Sequence, residues 1–118
     1  MRFHGHVRDL APLLDAADAL LLTSRFEGTP SVVIEALAVG VPVVATDCSP
    51  FVRELLDGPG RGRLVAERRA PALARALFEL LDAPGTMPGI EEALAPFATG
   101  AIAERYLALF EALLSGAD

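Results

Sequence analysis

The stretch SRFEGTPSVVIEALAVGVPVVATD, residues 24–47, decides the fold. Pro30, at a first helical turn, and Gly40, just past the last, frame a helix over PSVVIEALAV. VPVVAT follows as a continuous apolar run too short for a helix, which reads as a strand covered on both faces. SRFEGT, ahead of the helix, is loop. Seven residues separate Glu27 from Glu35, and Glu35 stands among Val32, Val33, Ile34, Ala36, Leu37, Ala38 and Val39 in what reads as a buried helix. A charge there needs a partner, because an unpaired carboxylate in a low-dielectric place is costly. Two answers stay open. One is a structural ion pair with Arg25 or Arg53, the nearest basic residues in sequence. The other is a vicinal diol, whose two hydroxyls match the two carboxylate oxygens, as nucleotide ribose is held in parallel α/β folds.

Outward from this stretch, short β-like runs alternate with helical ones in the order β-α-β-α-β-α-β-α-α, punctuated by Gly and Pro. Residues 2–4 read as a short strand and 9–18 as a helix with Asp9 as its N-cap. Residues 19–23 form a second strand, 41–46 a third and 63–66 a fourth. Helices are expected over 49–57 and 70–83, with one or two more over 90–115. The alternation implies an α/β fold, a parallel sheet with helices on both faces. Such a sheet places its binding loops at the carboxyl ends of its strands, where residues 24–29 and 47–50 lie. Within one domain of residues 1–118, sheet and helices occupy 1–82 and terminal helices 90–115. APGTMPG, residues 83–89, is the expected joint.

With 118 residues, the chain has the size of one domain. Its composition, 53% hydrophobic and 22% charged, excludes a disordered chain. A net charge of −6 argues against nucleic acid as partner, since phosphate backbones are bound by clustered Lys and Arg. The one dense basic group, Arg61, Arg63, Arg68 and Arg69, reads as a solvated turn and helix start, with contact to a membrane surface or an acceptor phosphate as the alternative. A single cysteine, Cys48, allows no internal disulfide, so a reducing cytoplasm is the simplest compartment. No apolar run reaches the roughly 20 residues that a membrane-spanning helix needs, leaving at most a peripheral membrane contact.

Gly-Thr-Pro-Ser, residues 28–31, opens the central helix with free backbone N–H groups, an arrangement suited to a diphosphate. Capping alone would also explain these residue types. Taken together, FHGHVRDLAPLLDAADALLLTSRFEGTPSVVIEALAVGVPVVATD, with RELLDG and GRLV after it, resembles the carboxyl-terminal domain of retaining, nucleotide-sugar-dependent glycosyltransferases of the GT-B fold, the group 1 family. The resemblance runs from Phe3 to about Val65 and includes the family's E-x7-E signature as Glu27 and Glu35. A weaker resemblance covers FATGAIAERYLALFEALL, similar to the family's last helix, with Thr99 where an aromatic residue is usual. The resemblance implies a partial Rossmann-like sheet, the C-terminal half of a GT-B fold. It also implies a hexosyltransferase-like activity in which Glu35 holds the ribose hydroxyls and Glu27, the catalytic-site carboxylate, contacts hydroxyls of the transferred sugar. Gly28, Thr29, Pro30 and Ser31 would set main-chain donors against sugar and diphosphate, although Pro30 has no N–H to give. Val7 and Arg8 would lie against the base. The nucleoside diphosphate sugar would be the substrate, with no cofactor and no protein-bound metal, and the leaving diphosphate would be stabilised electrostatically.

The family also has an Arg and a Lys that neutralise the diphosphate, and an amino-terminal acceptor domain. Neither has a counterpart here: all ten basic residues are arginine. The chain is therefore expected to be part of such an enzyme, inactive alone, needing the N-terminal domain or a partner chain and prone to self-association through uncovered sheet edges and helix faces. A non-catalytic sugar-nucleotide-binding or interaction module is the alternative. A hydrolase using the two glutamates as acid and base ranks last, because Glu35 reads as embedded in the helix rather than exposed in a cleft. Among the remaining residues, His4 and His6 share a strand face, and one packed and one solvated histidine is expected rather than a metal site. Cys48 is expected to be a buried, inert thiol. Asp47 and Ser49 are read as capping the helix after them, and Glu54 as facing Arg53 or solvent.

Overall fold

The computed structural model describes residues 1–83 and 85–116. Its elements are α1 (Ala11–Asp15), β1 (Leu20–Leu22), α2 (Ser31–Ala38), β2 (Val43–Thr46), α3 (Pro50–Leu56), β3 (Gly62–Val65), α4 (Ala70–Asp82), α5 (Ile90–Leu94), a 3-10 turn (Ala95–Phe97) and α6 (Thr99–Ser115). The three strands form one parallel sheet in the order β1-β2-β3. This is an α/β fold, a partial Rossmann-like sheet flanked by helices. The joint expected at 83–89 includes Pro84, which lies outside the described residues.

The chain divides into two compact units, Met1–Pro88 and the segment from Gly89 onward. In the first, β2 is the central strand and all four of its residues are buried, as its uninterrupted apolar sequence requires. Side chains alternate across a strand. Val44 joins Val65 of β3 and Ala72, Ala76 and Leu80 of α4 in one buried cluster. The four-residue spacing of those α4 residues is the stripe by which a helix covers a sheet. Val43 and Ala45 point the other way. Val33, Ala36 and Leu37 of α2 and Val52, Leu55 and Leu56 of α3 are buried outside the α4 cluster, which gives the sheet helices on both faces.

Residues 2–4 are not a strand: they pair with no described strand, and Phe3 is exposed. Three residues form too few ladder bonds to order themselves without an adjacent strand. The helix expected over 9–18 is only Ala11–Asp15, and Asp9 stands one position before its N-cap Leu10, its Oδ1 accepting from the Ala11 N–H at 3.1 Å. Pro30 is the N-cap of α2 rather than part of its first turn, with φ −72° and ψ 101°. In the second unit α6 buries none of its residues. Tyr106, Leu107, Leu109, Phe110, Leu113 and Leu114 are exposed along it. Among the described residues no helix is long and apolar enough to cross a membrane.

Candidate functional site

The β1–α2 loop, at the carboxyl end of the sheet, is tied down from two sides. Thr46, at the end of β2 and 1% exposed, donates its hydroxyl hydrogen to the Ser24 carbonyl. The Glu27 N–H donates to the Cys48 carbonyl at 3.1 Å. Between these tethers the Ser24 hydroxyl donates to Glu27 Oε1 at 2.6 Å, the length of a charge-assisted bond. Glu27 is half-buried, while Arg25, Phe26, Gly28 and Thr29 are exposed and Pro30 is buried. A Cβ placed on Gly28 would meet nothing within 4 Å. Ser31 opens α2 without a capping side chain; the Val33 N–H donates to the Pro30 carbonyl at 3.1 Å, which leaves the Ser31 and Val32 N–H groups to solvent or ligand.

Glu35 is exposed, contrary to the buried position expected of it. Only Val33, Ala36 and Leu37 of α2 are buried, whereas Ser31, Glu35 and Ala38 form an outward side. Glu35 lines an open groove of about 370 Å³ together with Arg8, Asp9, Leu10, Ala11, Leu14, Ala38 and Val39. The groove sets one guanidinium, Arg8, and two carboxylates, Asp9 and Glu35, beside an aliphatic surface, a combination that can take a flat base and a diol. Neither basic residue considered for Glu35 is its ion-pair partner among the described residues. Arg53 bonds Asp47 Oδ2 at 2.6 Å instead. Glu27, Gly28, Thr29, Pro30, Ser31 and Val7 do not line the groove, so the two glutamates occupy separate parts of this edge. The ground on which a hydrolase ranked last, an embedded Glu35, does not hold.

The family profile described as "Glycosyl transferases group 1" matches residues 1–83. The chain belongs to the group 1 glycosyltransferases. Every candidate site residue of this chain falls inside the matched segment. The chain is 32% identical over 84 residues to an uncharacterized glycosyltransferase of Haemophilus influenzae, covering 71% of this chain and 24% of that protein. It is 39% identical over 93 residues to WcaL of Escherichia coli K12, provisionally named a colanic acid biosynthesis glycosyltransferase, covering 72% and 23%. With a glycogen synthase of Mycobacterium tuberculosis the identity is 35% over 85 residues, covering 70% and 20%. The chain thus spans less than a quarter of the length of these three relatives. No solved structure matches it.

Elsewhere in the chain the bland readings account for most polar residues. Ser49 caps α3, its Oγ accepting from the Val52 N–H at 3.2 Å, and Cys48 is buried. Asp47 does not cap α3 as expected: it pairs with Arg53 instead, and its carbonyl accepts from Arg68 at 3.0 Å. Arg69 pairs with Glu67, and Glu54 is exposed. His4 and His6 are both exposed, rather than one packed and one solvated. Among the described residues there is no group of three or more His, Cys, Asp or Glu that could hold a metal ion. Sequence reasoning put Ser24 in a binding loop but missed its bond to Glu27, the tether from Thr46 and the place of Asp9 beside Glu35 in the groove. A Ser three residues before a Glu, and a Thr closing a buried strand, were the available signals.

Proposed function

We propose that this chain is the donor-binding portion of a retaining glycosyltransferase that moves a hexose-like sugar from a nucleoside diphosphate sugar to an acceptor. Glu35 holds the ribose hydroxyls, with Arg8 and Val7 toward the base. Glu27 contacts hydroxyls of the transferred sugar near the reacting carbon, and Gly28, Thr29 and Ser31 offer main-chain N–H groups to sugar and diphosphate, Pro30 fixing the turn between them. The sugar nucleotide is substrate, and no resident cofactor or metal is proposed. Acceptor binding falls to an amino-terminal domain or partner chain, so the chain alone does not turn over. The cytoplasm is the proposed compartment. The observation that carries this reading is Glu35 exposed in the groove with Arg8, on the helix whose uncapped N-terminus follows Glu27. The alternative reading is a sugar-nucleotide-binding module without catalysis.

An amide-resolved NMR titration with uridine and guanosine diphosphate sugars tests the proposal. Shifts confined to residues 7–9 and 27–35 are expected, and Glu35→Gln should weaken binding about ten- to hundredfold, the range of hydrogen bonds to a charged group. A folded chain indifferent to every nucleotide sugar refutes donor binding. If Glu35→Gln instead abolishes hydrolysis of a glycoside by the chain, with no nucleotide effect, the two glutamates are those of a hydrolase. Sugar transfer by the parent enzyme decides between transferase and module.

A further inference from the structure

We infer that Ser24 and Thr46 are positioning residues for the Glu27 carboxylate, setting how much the sugar half of a nucleotide sugar adds to its binding. The inference rests on the reading of Glu27 as the residue that meets the transferred sugar. It starts from Thr46, a polar side chain at the end of a strand otherwise made of Val and Ala. Its hydroxyl is buried, and a buried hydroxyl is tolerated only where it is bonded. Val would fill the same space without that requirement. The bond Thr46 makes does not reach into the sheet: it goes to the main chain of Ser24, in the loop beyond the end of the neighbouring strand.

Ser24 in turn gives its hydroxyl hydrogen to Glu27 Oε1 at 2.6 Å. The Glu27 main chain is fixed independently through its N–H to Cys48. A glutamate side chain has several free torsions and loses considerable entropy when held. Here the backbone is pinned from one strand end and the carboxylate from another, so that loss is incurred before any ligand arrives. Such preorganisation lowers the cost of binding and is how a supporting shell sharpens a site. Oε2 takes no part in the Ser24 bond. A bond that merely closed a turn would need no tether from β2 and would not distinguish one half of a ligand from the other.

The test compares, for the intact chain, the affinity for a nucleoside diphosphate with that for the matching diphosphate sugar, the ratio being the sugar increment. Ser24→Ala should reduce the increment about tenfold while the free nucleotide binds within about twofold of normal. Ser24→Thr, which keeps the hydroxyl, should restore it, and Thr46→Val should lower it in the same sense. If both variants weaken the two ligands equally, or leave the increment unchanged, the positioning role is overturned. Should the unsubstituted chain bind neither ligand, the donor-binding proposal fails, and the tether is then read separately from the side-chain couplings of Glu27 in the free protein. A single rotamer that becomes averaged in Ser24→Ala supports positioning; couplings unchanged by the substitution overturn it.

Discussion

A Cβ built on Gly62 would lie 1.8 Å from the Val43 carbonyl oxygen, and its φ of +152° is one that other residues rarely adopt. Both obstacles act where β3 enters the sheet, opposite Val43. Gly62→Ala should therefore cost about 3 kcal/mol or more, read as a lowered midpoint in urea unfolding. Gly28 is the internal control, because a Cβ there meets nothing; Gly28→Ala should move stability by less than about 0.5 kcal/mol. The sequence alone did not separate these glycines, since close approach between strands depends on pairing that no local window contains. Glu35 was misread for a related reason. Aliphatic neighbours do not have to be buried, and Ala38 and Val39 beside it are exposed. The pair of glutamates itself was plain in the sequence, whereas the side of the helix that Glu35 occupies depended on where the sheet lay.

At the scale of elements, the frames set by Pro, Ser and Gly were the readable part. Gly40 follows α2 with φ +81°, beyond its last turn, and Ser49-Pro50 opens α3 with the hydroxyl bonded as a cap should be. Because Ser49 is buried and its Oγ serves the Val52 N–H, Ser49→Ala should cost about 1 kcal/mol. Thermal unfolding of the two forms would show it, and an unchanged midpoint would mean that solvent replaces the cap without loss. The two strands in the central stretch and its flank, β1 and β2, were legible as short, continuous apolar runs. The strand expected at 2–4 was not there to be found. A strand is a pair, and its partner is not written in its own residues. Thr46 hid the loop tether in the same way, since nothing local shows that its hydroxyl meets a carbonyl 22 residues earlier.

At the scale of the whole molecule, two kinds of surface remain uncovered among the described residues. β1 and β3 each have one edge without a strand partner, and Leu21 of β1 is 44% exposed although its strand is wholly apolar. In the second unit, α6 exposes a broad set of leucines and aromatics, among them Tyr106 and Phe110 with ring centroids 6.0 Å apart. Unpaired edges and contiguous apolar side chains both favour association. Opposing this is the net charge of −6 on each copy, which repels over a screening length of roughly 30 Å at 0.01 M salt but only about 10 Å at 0.1 M. The balance sets the direction of the expected salt effect. Isolated chains should associate more as salt rises, since screening removes the repulsion and leaves apolar burial largely intact. Sedimentation equilibrium across that range would measure it: a weight-average mass that climbs above the monomer with salt is expected, whereas a monomer throughout would mean that these surfaces are too small or too irregular to hold two copies together. Dissociation by salt would instead assign the contact to charge pairs, and the apolar surfaces would then have no part in it.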